Sequence, residues 1–490
     1  MSKPIQNSSA ELANRLITQV IQACKNKTLK LEQPNNIETV CVSHIKRFME
    51  RWTADPEFQN QVAVEPYKTI ARYGLKVDPE EIRPLWDLKF LKEVGERVPI
   101  SASLRQWHEF FDESRVCELM QSIASSSSEP RFKAWRERQI ARTRSQFKKW
   151  LQDTLVHAPV CFELSKGCSV GCWFCGVSAP RLGDIFIYNQ ENAKLWYEVL
   201  ELMKEILGPA AGAGFCYWAS DPLDNPDYER FCSDFHEVLG IFPQTTTAQP
   251  LKDPARIRAL LKLSRKKGCL LNRFSILSLK MLNQVHEEFS AEELTLVSLA
   301  LQNKEANKIK ANAGRARERN LNKGEEDNEF PEQGTIACVS GFLFNMVDRS
   351  VKLISPCNAS DRWPLGYIVY DEGTFSDAHD LKILLERMIT DNMPLTVRPN
   401  DLINFRRDLK YESLTDGFQL STKFKTFKFR HEPYLKELGE VIHKGGKTAE
   451  DIASIFEKHG VSPAYTFHNL NLMFERGVLD DEPKPKVVKS

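Results

Sequence analysis

Residues 162–176 read FELSKGCSVGCWFCG, and this stretch carries more information about structure and chemistry than any other part of the chain. It continues the apolar run APVCFEL, which is typical of a strand that is buried inside a sheet. Cys168, Cys172 and Cys175 follow with the spacing C-x3-C-x2-C, and a glycine adjoins each of them. The pattern predicts a strand that runs into a thiol-rich loop, where glycine lets the backbone wrap closely around a bound group.

Three thiolates on one loop are a suitable ligand set for an iron–sulfur cluster. They can ligate three irons of a 4Fe-4S cluster and leave the fourth iron open for another ligand. Zinc is the alternative metal, but a structural zinc site needs four protein ligands, commonly two CxxC pairs, and the sequence has no second pair. The other alternative is a loop of buried thiols without a shared ligand. We expect one cluster.

The sequence around this loop alternates between predicted strands and helices from about residue 158 to 370. Because parallel strands need crossover connections, the alternation predicts an α/β fold with a parallel sheet. Six units predict a partial (β/α)6 barrel with its functional residues at the carboxyl ends of the strands. The predicted strands are APVCFELSKG, AGFCYWAS, FPQTTTAQ, LNRFSILS, ELTLVSLAL and GTIACVSGFLFNMV, and VKLISP follows as a closing strand.

The regions on either side of the predicted barrel have helical patterns. ELANRLITQVIQACKN predicts a helix at 11–26, and the basic helix at 131–153 is expected to present a solvated charged face. Asp55 and Asp78, each followed by a proline, and Thr448 are predicted to be helix N-caps. Three helices with glycine turns at the C-terminus resemble a helix-turn-helix or winged helix. The predicted domains are a helical N-terminal region (1–95), a helical linker (96–157), the barrel (158–335), a hairpin with an extension (336–431) and the C-terminal module (432–490).

Composition excludes several classes of protein. Of the 490 residues, 42% are hydrophobic and 27% are charged, and the formal net charge is only +1, so no overall attraction to nucleic acid or anionic membrane is expected. No stretch has the length of a transmembrane helix, and the first residues lack the apolar core of a signal peptide. We expect a cytoplasmic protein, in which the 12 cysteines do not form a disulfide framework.

The C-x3-C-x2-C loop after the first strand of a βα series resembles the signature of the radical SAM superfamily. The resemblance implies that Cys168, Cys172 and Cys175 hold one 4Fe-4S cluster whose open iron binds S-adenosyl-L-methionine (SAM). It implies an external electron donor and reductive cleavage of SAM to a 5′-deoxyadenosyl radical that abstracts a substrate hydrogen atom. In such enzymes the protein positions and shields the cofactors, which carry the difficult chemistry.

The same resemblance implies a set of SAM-binding residues. In the family, a Gly-Gly-Glu-Pro-like segment after the second strand receives the SAM amino group, and CYWASDPLDNPDY takes this place here without the usual glycines. Asp221 is the acceptor that an ammonium group needs. Ordinary polar residues at strand ends are the alternative interpretation. The implied SAM-binding residues are Phe174, Ala219, Ser220, Asp221, Thr245, Thr247 and Ser275.

Two further cysteines flank a predicted hairpin after the barrel. The segment from Cys338 to Cys357 resembles the start of the auxiliary-cluster extension, SPASM or twitch, of peptide-modifying radical SAM enzymes. No cysteine follows Cys357, so these two residues cannot complete a four-cysteine site. The sequence therefore predicts one cluster and two spare thiols.

A spare thiol near a radical site can donate a hydrogen atom, because its S–H bond is weak. The whole chain resembles the radical SAM epimerases of ribosomal peptides, of the type that matures proteusins. The resemblance implies abstraction of an α-hydrogen from an L-residue and return of hydrogen from a thiol to the opposite face. Cys357 is the first candidate for this catalytic donor and Cys338 is the second, and a buried inert thiol is the alternative for each.

Two regions are candidates for binding the ribosomal precursor peptide. Residues 48–86 resemble the nitrile-hydratase-like leader of proteusin precursors, and a small helical cap on the barrel is the alternative. The module at 432–490 resembles winged-helix elements that recognise leader peptides in this biosynthetic class. DNA binding is the alternative, but the module has no arginine-rich recognition helix, so nucleic acid is not the expected partner.

Two other functions fit the same residues. One is a different radical SAM modification of a peptide, such as thioether crosslinking, backbone excision or methyl transfer. The other is a non-catalytic iron–sulfur regulator that binds DNA through its C-terminal module. The prediction from the sequence is an isomerase: a radical SAM peptide epimerase.

Overall fold

The computed structural model describes residues 36–95, 100–110, 113–269, 271–306, 311–323, 334–432 and 434–483, so the helix predicted at 11–26 lies outside the described residues. The α-helices are α1 (Ile37–Ala54), α2 (Pro56–Val64), α3 (Pro66–Arg72), α4 (Leu88–Val94), α5 (Ala102–Glu109), α6 (Glu113–Ala124), α7 (Pro130–Gln146), α8 (Lys149–Thr154), α9 (Gln190–Leu207), α10 (Tyr228–Leu239), α11 (Pro254–Lys266), α12 (Leu279–Glu288), α13 (Gly314–Lys323), α14 (Ala378–Asn392), α15 (Leu435–Lys444), α16 (Ala449–Glu457) and α17 (Pro463–Glu475). The strands are β1 (Ala158–Glu163), β2 (Ser165–Lys166), β3 (Asp184–Ile185), β4 (Thr246–Thr247), β5 (Asn272–Ile276), β6 (Val297–Leu301), β7 (Val339–Asn345), β8 (Ser350–Pro356), β9 (Tyr367–Thr374), β10 (Leu402–Ile403), β11 (Lys410–Leu414), β12 (Gly417–Ser421), β13 (Thr426–Arg430) and β14 (Lys447–Thr448).

The parallel strands predicted from the sequence occur in two open sheets. One has the order β1-β7-β8-β9, with β7 parallel to β1 and the last two strands antiparallel. The other has the order β4-β5-β6 and is wholly parallel. An isolated parallel bridge from Cys161 to Phe215 extends the free edge of β1. In the described part of the chain these sheets do not close, and the six-unit partial barrel stays a prediction.

Two of the predicted strands are much shorter than expected. AGFCYWAS forms only the bridge at Phe215, because the preceding residues Gly208–Ala213 form a 3-10 helix and Gly214 packs directly on β1. A Cβ atom on Gly214 would lie 2.8 Å from the carbonyl oxygen of Val160. FPQTTTAQ contributes only the two residues of β4, and a proline, which cannot donate to a ladder, lies on each side.

The main apolar core lies between the β1 sheet and its covering helices. All six residues of β1 are buried, as expected of a parallel strand covered on both faces. Phe162 of β1 stacks on Phe344 of β7 with ring centroids 5.0 Å apart, and it meets the edge of Trp196 from α9 at 4.8 Å. The other face of β1 carries Cys161, which belongs to a separate buried cluster beside the thiol-rich loop.

Helix α7 differs from its prediction. Its arginines were expected on a solvated face, but Arg136, Arg138 and Arg142 are buried. The Arg142 guanidinium donates to the Tyr370 hydroxyl at 2.7 Å and to the Ser355 hydroxyl at 2.9 Å. The helix is therefore buried in the fold, with arginines that donate to acceptors from distant segments. Counting charge along the sequence cannot detect such acceptors.

The N-terminal helices α1 to α3 form a small core of their own. Asp55 caps α2 as predicted, because its carboxylate accepts hydrogen bonds from the backbone N–H groups of Glu57 and Phe58. Asp78 was expected to cap another helix, but the chain there forms a turn and a short 3-10 helix, Arg83–Leu85. The unit docks on α12 through a buried group of charges in which Glu50 contacts Lys46 and His286.

This buried group predicts a pH dependence of stability. Burial lowers the pKa of His286 from 6.5 to about 4, so between these values the unfolded chain binds a proton that the folded chain does not. The free energy of unfolding should therefore fall as the pH is lowered from 6.5 to 4, by at most about 3 kcal/mol from this group. Denaturant titrations between pH 6.5 and 4 should show that the free energy of unfolding falls less steeply with pH in His286→Gln than in the wild type. An equally steep fall in both proteins would contradict the assignment of this pH dependence to His286.

The C-terminal unit combines a sheet with the predicted helices. The antiparallel strands β11-β12-β13 pack on α15, and α16 packs on α17. The three predicted helices and the Thr448 N-cap are confirmed. The shared apolar core extends from Val397 to Leu479, so it includes residues on both sides of the predicted boundary at 431/432. In the ranges that the structure describes, no helix combines the length and apolarity needed to cross a membrane.

Candidate functional site

The thiol-rich loop lies at the carboxyl end of β1, inside a small hairpin formed by β2 and β3. The Cys168 N–H donates to the Pro180 carbonyl at 2.9 Å, which closes the base of the loop. Gly167 has a φ of +86°, and a Cβ atom there would lie 2.3 Å from the Arg181 carbonyl oxygen. The backbone therefore requires glycine at the first turn of the loop.

Asp224 fixes the middle of the loop from a distant segment. Its carboxylate accepts hydrogen bonds from the Ser169 N–H at 2.9 Å and from the Ser169 hydroxyl at 2.5 Å. Asp224 ends a 3-10 turn, Pro222–Asp224, and its side chain has no solvent exposure. The sequence analysis missed this residue, although it lies three positions after Asp221 in the segment that was singled out.

The N-terminus of α13 holds the other side of the loop. The Arg315 N–H donates to the Cys175 carbonyl at 3.0 Å, and its guanidinium donates to the Cys172 carbonyl at 2.8 Å. Gly314 has a φ of +54°, and a Cβ atom there would lie 2.5 Å from the Cys175 carbonyl oxygen. Arg319 of the same helix lies over the Trp173 ring, with its guanidinium carbon 4.2 Å from the ring centroid.

The three thiols of the loop are partly exposed and close enough to repel one another when ionised. Burial and, after it, the charges of Cys175 and Cys168 raise the pKa of Cys172 to about 11. Among the residues that the structure describes, no group of three or more His, Cys, Asp or Glu side chains is arranged to hold a metal ion. The thiols are thus near one another but not converged on one point.

The donor chemistry of the loop nevertheless fits an iron–sulfur cluster. A metal cation removes the repulsion between ionised thiols and stabilises the thiolate form. The carbonyl groups of Cys172 and Cys175 are turned toward Arg315, and the Asp224 carboxylate is occupied by Ser169, so the loop offers thiols rather than oxygen ligands. Soft thiolate ligands of this kind favour iron–sulfur clusters or zinc over oxygen-preferring metals.

The structure brings together two of the predicted SAM-binding residues, Asp221 and Thr247. The Asp221 carboxylate accepts hydrogen bonds from the Thr247 hydroxyl at 2.9 Å, the Ala248 N–H at 2.8 Å and the Leu223 N–H at 3.0 Å. Burial raises its pKa. Asp221 thus joins the segment after the second predicted strand to the end of β4, and its role as the acceptor for the SAM ammonium group stays a prediction.

Glu163 is a second residue that the sequence analysis missed. It ends β1, and its carboxylate accepts hydrogen bonds from the Ala219 N–H at 2.9 Å and from the Asn345 side-chain amide at 3.2 Å. Burial raises its pKa from 4.5 to about 7. Ala219 is thereby held beside the carboxyl end of β1, two positions before Asp221.

The other predicted SAM-binding residues are more dispersed. Phe174 lies in the loop, with its ring edge-on to Trp173 at 5.2 Å. Ser220 is half-buried beside Asp221, and Ser275 is half-buried on β5 opposite Ala300. Thr245 is buried, and its hydroxyl lies 3.1 Å from that of Tyr228.

The two spare thiols occupy different surroundings. A cavity of about 630 Å³ lies beside the strands, and Cys338 lines it together with Cys117, Arg273 and Tyr217. Cys357 is buried in the main core and does not line this cavity. The positive charge of Arg142 acts on its thiol. Burial raises the pKa of each of these two thiols to about 12. The cavity therefore favours Cys338 over Cys357 as the candidate hydrogen donor, whereas the sequence analysis placed Cys357 first.

Removal of the Asp224 carboxylate tests whether this residue maintains the loop. Asp224→Ala leaves the Ser169 N–H without its acceptor, which should cost about 1–3 kcal/mol and lower cluster affinity by about 10- to 100-fold. Iron and sulfide content after anaerobic reconstitution measures the loss. The matched control is Asp253→Ala, which removes only the N-cap of α11. Equal cluster content in the two variants would contradict the role of Asp224.

Comparisons with known proteins identify a relative over most of the chain. No protein-family model and no solved structure match it. The protein described as "Uncharacterized protein y4wI" from Sinorhizobium fredii (strain NBRC 101917 / NGR234) is 40% identical over 453 residues, which cover 90% of this chain and 88% of that protein. At this identity and coverage, the chain belongs to the same family as the S. fredii y4wI protein.

Proposed function

We propose that this protein is a radical SAM enzyme that epimerises L-amino acid residues of a ribosomal precursor peptide to D-residues. The observation that carries the proposal is the loop with Cys168, Cys172 and Cys175, which Asp224 and Arg315 clamp at the carboxyl end of β1. The one-cluster, spare-thiol pattern of the sequence supports the epimerase assignment within that superfamily. The proposed location is the cytoplasm, since thiol and iron–sulfur chemistry requires a reducing compartment.

In this proposal the loop thiols hold one 4Fe-4S cluster, and the Ala219–Asp221 segment, with Phe174, Thr247 and Ser275, holds SAM. When bound, these groups supply the 5′-deoxyadenosyl radical that removes the α-hydrogen of the substrate residue. Asp221 and the neighbouring Glu163 are the two carboxylates proposed to supply negative charge for the SAM amino group. Each also accepts hydrogen bonds from the protein, which hold it in place.

Cys338 is the proposed hydrogen donor because it combines access with the correct protonation state. A donor must carry an S–H bond, and a pKa of about 12 keeps this thiol protonated at neutral pH. Transfer of the hydrogen atom to the α-carbon radical from the face opposite to abstraction gives the D-residue and leaves a thiyl radical. One electron from the external donor and one proton then restore the thiol for the next turnover.

The precursor peptide is proposed to bind through the C-terminal unit, which includes the module at 432–490. Deletion of the module is a poor test of this proposal, because α15 to α17 share a core with strands that precede residue 432. Removing residues 432–490 would therefore expose the apolar face of β12, including Phe418 and Leu420. Substitution of exposed residues in the intact C-terminal unit is therefore a better test of peptide binding than deletion.

The proposed function is tested with protein reconstituted anaerobically with iron and sulfide, then supplied with SAM, reductant and a leader-bearing peptide. The expected products are 5′-deoxyadenosine and D-residues in the hydrolysed peptide. A mass change in the peptide, with 5′-deoxyadenosine but without D-residues, would replace epimerisation by another radical modification. Salt-dependent DNA binding with no SAM cleavage would replace the enzyme by an iron–sulfur regulator.

A further inference from the structure

The cavity that contains Cys338 is built jointly by the strand region and the C-terminal unit. Phe215, Arg273 and Cys338 line it from one side, and the hairpin between β12 and β13 lines it from the other through Thr422–Phe424. Its volume of about 630 Å³ is within the range of pockets that bind small ligands or a few residues of a peptide. A molecule bound to the C-terminal unit can therefore extend directly toward the thiol.

The hairpin is fixed in this position by hydrogen bonds to the end of α7. The Thr422 hydroxyl donates to the Ser145 carbonyl at 2.5 Å, and the Arg406 guanidinium donates to the Ser145 hydroxyl at 2.7 Å. The Gln146 side chain donates to the Asp408 carboxylate at 3.0 Å. The edge of the cavity is thus a defined part of the fold, and the side chains on the hairpin have a fixed relation to Cys338.

Four exposed cations lie on this hairpin or near its Lys425, and we call them the cationic rim: Arg144, Lys423, Lys425 and Arg476. Lys423 lines the cavity itself. The charges of Arg144, Arg406 and Arg476 reach Lys425 and, after burial, contribute to lowering its pKa. Asp408 is already paired with Arg406 at 2.8 Å, so it does little to offset the rim.

We propose that the cationic rim binds an acidic segment of the substrate peptide and thereby places a neighbouring residue of that peptide inside the cavity beside Cys338. This inference rests on the proposed function and specifies its substrate. A cluster of like charges at the mouth of a low-dielectric cavity concentrates its field there and attracts the opposite charge. A peptide with Asp or Glu residues next to the modified position matches both the charge of the rim and the volume of the cavity.

The test uses the full-length protein without cluster, SAM or reductant, and measures binding of a fluorescent peptide of alternating Glu and Ala by anisotropy. The K423E/K425E variant should bind it at least about tenfold more weakly than the wild type. The matched control is Lys428→Glu, which reverses an exposed charge on β13 away from the cavity lining and should change the affinity less than about twofold. The Gln–Ala analogue should bind weakly to all three proteins.

A second readout places the bound peptide next to the thiol. Hydrogen–deuterium exchange of the backbone amides in the proteolytic peptide that contains Cys338, measured by mass spectrometry, should slow several-fold when the Glu–Ala peptide is present. In the K423E/K425E variant this protection should be lost. Circular dichroism of each variant checks that the fold is retained, and K423A/K425A provides a milder change of the same rim.

Three results would overturn the inference. Equal binding by K423E/K425E and the wild type would exclude the rim, and equal binding of the Gln–Ala and Glu–Ala peptides would exclude charge as the basis. Tighter binding of a short single-stranded DNA than of the Glu–Ala peptide would assign the rim to nucleic acid. Because the assay requires no turnover, acidic-peptide binding without epimerisation would contradict the proposed function alone, and epimerisation without such binding would contradict only this inference.

Discussion

Replacing Cys168, Cys172 or Cys175 by Ala is expected to abolish cluster binding and cleavage of SAM. Each thiol supplies one of the three protein ligands, and two remaining thiolates leave a second iron without protein coordination. The loss should exceed the 10- to 100-fold reduction that is typical when a residue supporting the ligands is removed. Iron and sulfide per chain, the visible absorption of the cluster, and 5′-deoxyadenosine formation measure the result.

The control for this experiment is a cysteine outside the loop. Cys269 is buried next to the start of β5, and Cys269→Ala should retain the cluster while destabilising the fold by about 1–2 kcal/mol. This control separates ligand loss from a general effect of removing a buried thiol. A stoichiometric, redox-active cluster in Cys172→Ala would contradict the assignment of the loop as the cluster site.

The second large effect is expected from Cys338→Ala. This variant should still bind the cluster and cleave SAM, because Cys338 lies at the cavity and not in the loop. D-residues should fall to the background, since no thiol at the cavity wall in this position can return hydrogen to the α-carbon. The measurement is the ratio of D-residues to 5′-deoxyadenosine in the same reaction.

Two matched variants keep this prediction falsifiable. Cys357→Ala removes a thiol with the same raised pKa that does not line the cavity, so D-residue formation should persist. Cys117→Ala removes the other cysteine that lines the cavity and tests whether that thiol also donates hydrogen to the substrate radical. Normal D-residue yield in Cys338→Ala, with loss in Cys357→Ala, would restore the order that the sequence predicted.

Features that depend on local sequence were predictable. The spacing of the three cysteines marked the loop, and the loop lies at the end of a buried strand as expected. The three C-terminal helices and the caps at Asp55 and Thr448 follow from apolar periodicity and capping chemistry within a few residues. Such signals survive in a single sequence because the interacting groups are near one another along the chain.

Features that depend on distant segments were not predictable. Asp224 supports the loop from 55 positions away, and Arg142 contacts a hydroxyl 213 positions away. Cys338 and Cys357 flank the same hairpin in sequence, and only the packing of the C-terminal unit decides which of them lines a cavity, so their order as hydrogen donors stays a prediction. Asp221 was predicted to follow a strand, but it caps the 3-10 turn Pro222–Asp224, and its partners Thr247 and Ala248 lie at and just after the end of β4.

The most direct test of epimerisation is the reaction of the reconstituted wild-type enzyme with SAM, reductant and a leader-bearing peptide in D2O. A thiol donor exchanges its hydrogen with solvent, so the account predicts deuterium at the α-carbon of each residue that becomes D-configured. Mass spectrometry locates the deuterium, and chiral analysis after hydrolysis gives the configuration. Abundant 5′-deoxyadenosine from a bound peptide that gains neither α-deuterium nor D-residues would contradict the central claim.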